Sequence, residues 1–161
     1  MYILHYFSYN INMKKYLKNN IIIVCATFLI PGIISFLMRD SFSIYKELIL
    51  PKYAPPSYLF PVAWNVIYIL NAISAIFVKE NDKCLVIYYI QIILNALWSP
   101  IFFLLNNYLL ALIELAILLV TVIYMSYSFY KERKFTIYLL IPYIIWLLFA
   151  FYLNYFVYIY N

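Results

Sequence analysis

Five stretches of this chain are apolar enough and long enough to cross a bilayer, and the polar positions inside them are few. They run over residues 21–38, 59–78, 84–105, 109–130 and 135–158, bounded by charged and turn-forming residues. Each has the roughly 17–25 residues that a transmembrane helix needs. The pattern predicts an all-α integral membrane protein, a five-transmembrane-helix bundle forming one domain over residues 21–161 behind an N-terminal extension of residues 1–20. The breaks at Lys79–Lys83, Asn106–Tyr108 and Lys131–Lys134 are short, which makes antiparallel neighbours of the second to fifth helices. Only the connection from Arg39 to about Tyr58 is long. Its Pro51, Pro55 and Pro56 rule out a continuous helix and favour an extended or turned cover.

The polar positions inside the stretches follow a helical rhythm. Gln91, Asn95, Trp98 and Phe102 are spaced by four, three and four residues, with Ser99 beside them, so they share one helix face. An amide in hydrocarbon is costly unless it finds partners, so this face must meet a packed interior or a cavity. The fifth stretch repeats the logic with Tyr143, Trp146, Ala150 and Asn154, and the second with Trp64, Asn65, Tyr68, Ala72 and Ala75. On one helix such an aromatic strip reads as core. Three helices, each with a Trp and an Asn close by, instead suggest a shared pocket with π-face walls and a few orienting donors. Tetrapyrroles, sterols and flat aromatic drugs suit such walls, whereas a transported inorganic ion does not.

Composition reinforces the membrane reading: 68% of residues are hydrophobic and 11% charged, against about 45–50% and 25% in soluble domains. The net charge of +5 is placed rather than spread. Lys14, Lys15, Lys18, Lys79, Lys83, Lys131, Arg133 and Lys134 fall on one side, and Arg39, Lys46 and Lys52 on the other. The positive excess puts the N-terminus in the cytoplasm and the C-terminus outside, and fits a bacterial cytoplasmic membrane. No basic stripe remains to bind nucleic acid. His5 is the only histidine and lies far from Cys25 and Cys84, so neither a metal site nor a histidine-dependent triad is expected. Glu114 is the one acid inside an apolar stretch. It reads either as a proton or substrate contact or as a carboxyl that is neutral or partnered by an amide or a tyrosine hydroxyl; a lone acid favours the second.

The chain resembles the TspO/translocator protein family, the tryptophan-rich sensory proteins and peripheral benzodiazepine receptors. The resemblance rests on Tyr45, Pro51 and Pro55-Pro56, then Phe60-Pro61-Val62-Ala63-Trp64 with Tyr68, then Gln91, Asn95, Trp98-Ser99 and Phe102-Phe103, then Pro142-Tyr143, Trp146, Phe149-Ala150 and Leu153-Asn154. Their order and spacing cover about three-quarters of the chain. The chain departs from the family where Ile44 stands at a common Trp and Asn65 at a common Thr. The resemblance implies a homodimeric five-helix bundle whose cavity opens toward the proline-bearing connection. It implies ligands of the porphyrin class, protoporphyrin IX or haem, as well as sterols and isoquinoline-type drugs, with no required cofactor.

Carried onto this sequence, the implied ligand contacts are Tyr45, Trp64, Asn95, Trp98, Trp146 and Ala150, with Ser35 weakly aligned. Three functions stay open at this point. The leading one is a membrane receptor or sensor for porphyrin-like ligands. An enzyme that degrades protoporphyrin IX in light would use Trp64 and Trp146 as its reacting indoles, since no acid, base or metal set is present. A porphyrin or sterol transporter is the third, although five helices do not divide into the two equal halves of an inverted repeat.

Overall fold

A computed structural model describes residues 2–161 of the protein, with side chains from Asn19 onward. It is all-helical, with no strand among the described residues: α1 (Tyr2–Leu37), α2 (Leu59–Val78), α3 (Asp82–Ser99), α4 (Tyr108–Glu132) and α5 (Thr136–Tyr160). A short 3-10 turn, Ser41–Lys46, follows α1, and a π-helical turn, Pro100–Leu104, follows α3. The expected extension, up to Lys18, lies outside the residues whose side chains are described. All five helices carry a segment long and apolar enough to span a membrane, starting in α1 at Asn19. Large apolar side chains such as Ile69, Val86, Ile113, Val120 and Ile145 face outward, while Asn71, Gln91, Asn95 and Asn154 are buried. That inside-out distribution suits lipid and not water. The chain is an integral, multi-pass membrane protein.

Two asparagines set where α3 and α4 begin. The Asn81 side chain accepts from the backbone N–H of Lys83 at 3.0 Å and of Cys84 at 3.4 Å, and Asn107 accepts from that of Leu110 at 3.0 Å. Each cap satisfies donors that a helix start leaves unpaired. The helices therefore begin at Asp82 and Tyr108, one or two residues before the positions suggested by hydropathy alone.

The third stretch is not one regular helix. Pro100 has no N–H to return to the preceding turn, so the α-helical ladder stops at Ser99 and the backbone widens. Leu105 N–H then reaches back five residues to the Pro100 carbonyl at 3.0 Å. Asn106 reverses the chain with φ of 51°, a left-handed conformation that asparagine tolerates better than most residues.

Packing follows a ring in the order α1, α2, α5, α4, α3 and back to α1. Chain neighbours α3–α4 and α4–α5 pack closely, as the short connections predict. The turn joining α2 to α3 is equally short, but α1 lies across both helices, so α2 packs mainly on α5 and α1. Thr27 and Tyr88 hydrogen-bond between α1 and α3 at mid-depth. At the end bearing the short basic connections, Lys79 bonds Asn20 and Asn81 donates to Glu132 at 2.6 Å, closing that end. The opposite end is spread by the connection over residues 38–58.

Replacing Asn106 tests the left-handed reversal. Asn106→Gly is expected to leave thermal stability in detergent unchanged, and Asn106→Val to lower it by about 1–3 kcal/mol. Equal melting of both variants and the parent would show that the reversal is not held by this residue.

Candidate ligand-binding cavity

A cavity of about 400 Å³ lies at the spread end, between α1, α2, α5 and the α3–π-turn junction, under the long connection. Its volume falls within the roughly 300–1,000 Å³ typical of small-molecule sites. The connection is fastened over it at several points. The Tyr45 hydroxyl donates to the Pro55 carbonyl at 2.9 Å, and burial pushes the Tyr45 phenol up, so this donor keeps its proton. Phe42 meets Phe103 edge-on at 5.1 Å. The Asn161 side chain clamps Ile49 from the end of α5, accepting from its N–H at 2.8 Å and donating to its carbonyl at 3.2 Å. Nothing in the hydropathy pattern signals this clamp, because it is a single polar residue beyond the last apolar run.

The walls are mostly rings in edge-to-face or offset contact. Tyr45 meets Phe60 at 5.3 Å, Phe60 meets Trp146 at 5.9 Å, Trp146 meets Trp64 at 6.2 Å, and Trp64 stacks on Tyr68 at 5.6 Å and 26°. Such pairs hold one another's orientation. Trp98 stacks on Phe102 at 4.9 Å across the start of the π turn. The helical spacing of Trp64, Tyr68 and Asn71 on α2, and of Gln91, Asn95 and Trp98 on α3, turns these residues inward together.

Of the residues singled out in the sequence, Tyr45, Trp64, Asn95, Trp98 and Ala150 line the cavity, and so does Ser35 on its open α1 side. Trp146 does not reach the main wall. It borders a side chamber of about 20 Å³ behind Phe60 and Trp64, together with Leu115 and Leu118, and Asn95, Trp98 and Ala150 border both spaces. Ser99 faces the cavity. Phe28, Pro31 and Gly32 contribute a wall from α1. Their helical spacing, together with Ser35, was the available signal, masked by the uniform apolarity of that helix.

The indoles differ in what their N–H groups do. Trp98 donates to Asn154 at 3.0 Å, and Asn154 donates to the Tyr108 carbonyl at 2.9 Å, so Trp98 is pinned as wall. No hydrogen bond is formed by the Trp64 or Trp146 N–H among the described residues. Asn95 sits in a chain: the Tyr68 hydroxyl donates to its oxygen at 2.9 Å, its nitrogen donates to the Tyr143 hydroxyl at 3.3 Å, and Tyr143 donates to Gln91 at 3.0 Å.

The family model of the TspO/MBR family matches residues 21–159, which include every side chain of the cavity wall and stop two positions short of Asn161. The chain belongs to the TspO/MBR family. Protein CrtK of Rhodobacter capsulatus is 36% identical over 118 residues, covering 69% of this chain and 74% of that one. Tryptophan-rich protein TspO of Chlorobaculum tepidum is 31% identical over 118 residues, covering 69% and 75%. A tryptophan-rich sensory protein of Cereibacter sphaeroides is 30% identical over 105 residues, covering 63% and 66%.

Of the two forms that the sequence allows for Glu114 in this TspO/MBR chain, neutral or partnered, the partnered one is not formed among the described residues. Glu114 is 7% exposed, yet neither carboxyl oxygen has a hydrogen-bond partner among the described residues. The amides and tyrosines of the bundle bond one another instead: Asn95, Tyr143 and Gln91 form one chain, and Asn154 bonds Trp98 and Tyr108. No group of three or more His, Cys, Asp or Glu side chains is placed to hold a metal among the described residues.

Tyr143 is the junction of the buried chain, so its hydroxyl is the one to remove. Tyr143→Phe leaves Gln91 and Asn95 short of a partner and should lower stability in detergent by about 0.6–2 kcal/mol. A melting temperature equal to the parent's would show that the chain contributes nothing to folding.

Proposed function

We propose that this protein is a membrane receptor or sensor that binds a flat, hydrophobic, porphyrin-like ligand in the cavity. The observation that carries the reading is the set of rings Tyr45, Phe60, Trp64 and Tyr68 along the cavity, with Trp146 set behind Phe60 and Trp64 and touching both, beside the amide of Asn95. A planar ligand gains area against such faces, and a few fixed polar groups orient it. The unengaged Trp64 N–H and the remaining Asn95 N–H are donors suited to a ligand carbonyl or carboxylate. Membership of the TspO/MBR family, and relatives named as tryptophan-rich and sensory proteins, support the same reading. The bias of Lys and Arg supports a placement with the N-terminus in the cytoplasm and the cavity end outside.

Quenching of tryptophan fluorescence by protoporphyrin IX tests the site, with Trp64 and Trp98 left as reporters in the variant. The double variant Asn95→Ala, Trp146→Phe should bind at least about tenfold more weakly, the equivalent of one or two lost contacts. Binding as tight as the parent's would remove these residues from the site. Orientation is tested by single cysteines placed in a cysteine-free chain. Lys52→Cys should react with an impermeant maleimide in intact cells and Lys134→Cys only after permeabilisation; the reverse result would invert the topology.

A further inference from the structure

The chain of hydrogen bonds behind the cavity has a direction, and the direction decides what polarity the cavity presents. Tyr143 is 1% exposed and gives its single hydroxyl proton to Gln91, which is 2% exposed. Its oxygen is then available to Asn95 only as an acceptor, so the amide must turn its nitrogen toward Tyr143. The amide oxygen consequently lies on the other side, where it takes the proton of Tyr68. Two groups are left over. Asn95 keeps one N–H, and the Tyr68 oxygen keeps its lone pairs, with its own proton already committed. Neither has another partner among the described residues, and both residues line the cavity. Trp64, stacked on the Tyr68 ring, holds that ring and so its oxygen in place.

We propose that Tyr68 and Asn95 act as a paired acceptor and donor that selects ligands carrying an N–H beside a C=O on one planar edge, as in a lactam. The proposal rests on the cavity being the ligand site. Asn95 would give its N–H to the ligand carbonyl while the Tyr68 oxygen accepts the ligand N–H. A carboxylate or an ester offers only acceptors: it can take the N–H groups of Asn95 and Trp64, but at this pair it sets an oxygen against the Tyr68 lone pairs. Tyr143 and Gln91 touch no ligand; they are positioning residues that fix which way the Asn95 amide points. The selectivity is therefore written in the buried side of the network rather than in the cavity wall.

Calorimetry on the full chain in detergent decides it, using the flat three-ring lactam phenanthridinone and its N-methyl derivative as probes. The parent should prefer the lactam by about tenfold, the size of one well-made hydrogen bond. Tyr68→Phe should bring the two probes within about twofold of each other, and so should Asn95→Leu, whose apolar side chain fills a similar volume. Trp146→Phe should weaken both probes alike and keep the preference. Equal binding of both probes to the parent, or a preference that survives Tyr68→Phe, overturns the pairing. If the parent binds protoporphyrin IX but neither lactam probe, the pairing fails and the cavity reading stands; if it binds none of the three, both fall.

Discussion

Polar groups that lie in hydrocarbon must find partners inside the protein, and the arrangement of this bundle turns on how few partners are available. Asn95, Tyr68, Tyr143 and Gln91 come from α2, α3 and α5, and their hydrogen bonds form one continuous chain through the middle of the bundle. Apolar contacts between helices in lipid discriminate weakly between registers, because lipid tails are as apolar as leucine. A set of four polar side chains that satisfy one another only in one register does discriminate. The chain thereby fixes the depth of α2 and α5 relative to α3, and the rings above it inherit that depth.

The same constraint separates wall from site. Trp98 has its N–H committed to Asn154, which is itself committed to the Tyr108 carbonyl at the start of α4. That indole is therefore a structural pin whose face happens to border a cavity. Trp64 and Trp146 make no such bond, and they stand where α2 and α5 meet at the cavity end. The sequence offers all three tryptophans as ligand contacts. Their hydrogen-bond partners make them different.

Much of this architecture could be read from the sequence, and what could not has a common cause. Apolar length located all five helices, because a bilayer imposes a single length scale on each. Helical spacing then brought Trp64, Asn95, Trp98 and Ala150 to one cavity, because residues three and four apart must share a face. What escaped was set by single residues acting outside any period. Pro100 converts the end of α3 into a π turn, so that Phe103 joins Phe102 at the cavity. Asn161 clamps Ile49 from the far end of the chain, 112 positions away. The set-back position of Trp146 behind Phe60 depends on where α5 crosses α2, which a helical wheel does not contain. Glu114 could be found as an oddity in the sequence, but whether a polar group meets it depends on how the helices are turned about one another, which the spacing along one helix does not contain.

The cavity's position at one end follows from the difference between the two ends. At the basic end, helices are joined by turns of a few residues, capped by Asn81 and tied by Lys79 to Asn20 and by Asn81 to Glu132. Short turns hold the helices together and leave no room between them. At the other end, α1 and α2 are separated by a connection of some twenty residues that cannot be helical through Pro51, Pro55 and Pro56. A long connection relaxes the distance between the two helices it joins, and the π turn after Ser99 widens the third wall at the same depth. The rings on α2, α3 and α5 then meet across a gap that the connection can roof but not fill. The proline-rich segment is thus a cause of the cavity as well as its cover, and the buried hydrogen-bond chain is the floor on which that opening stops.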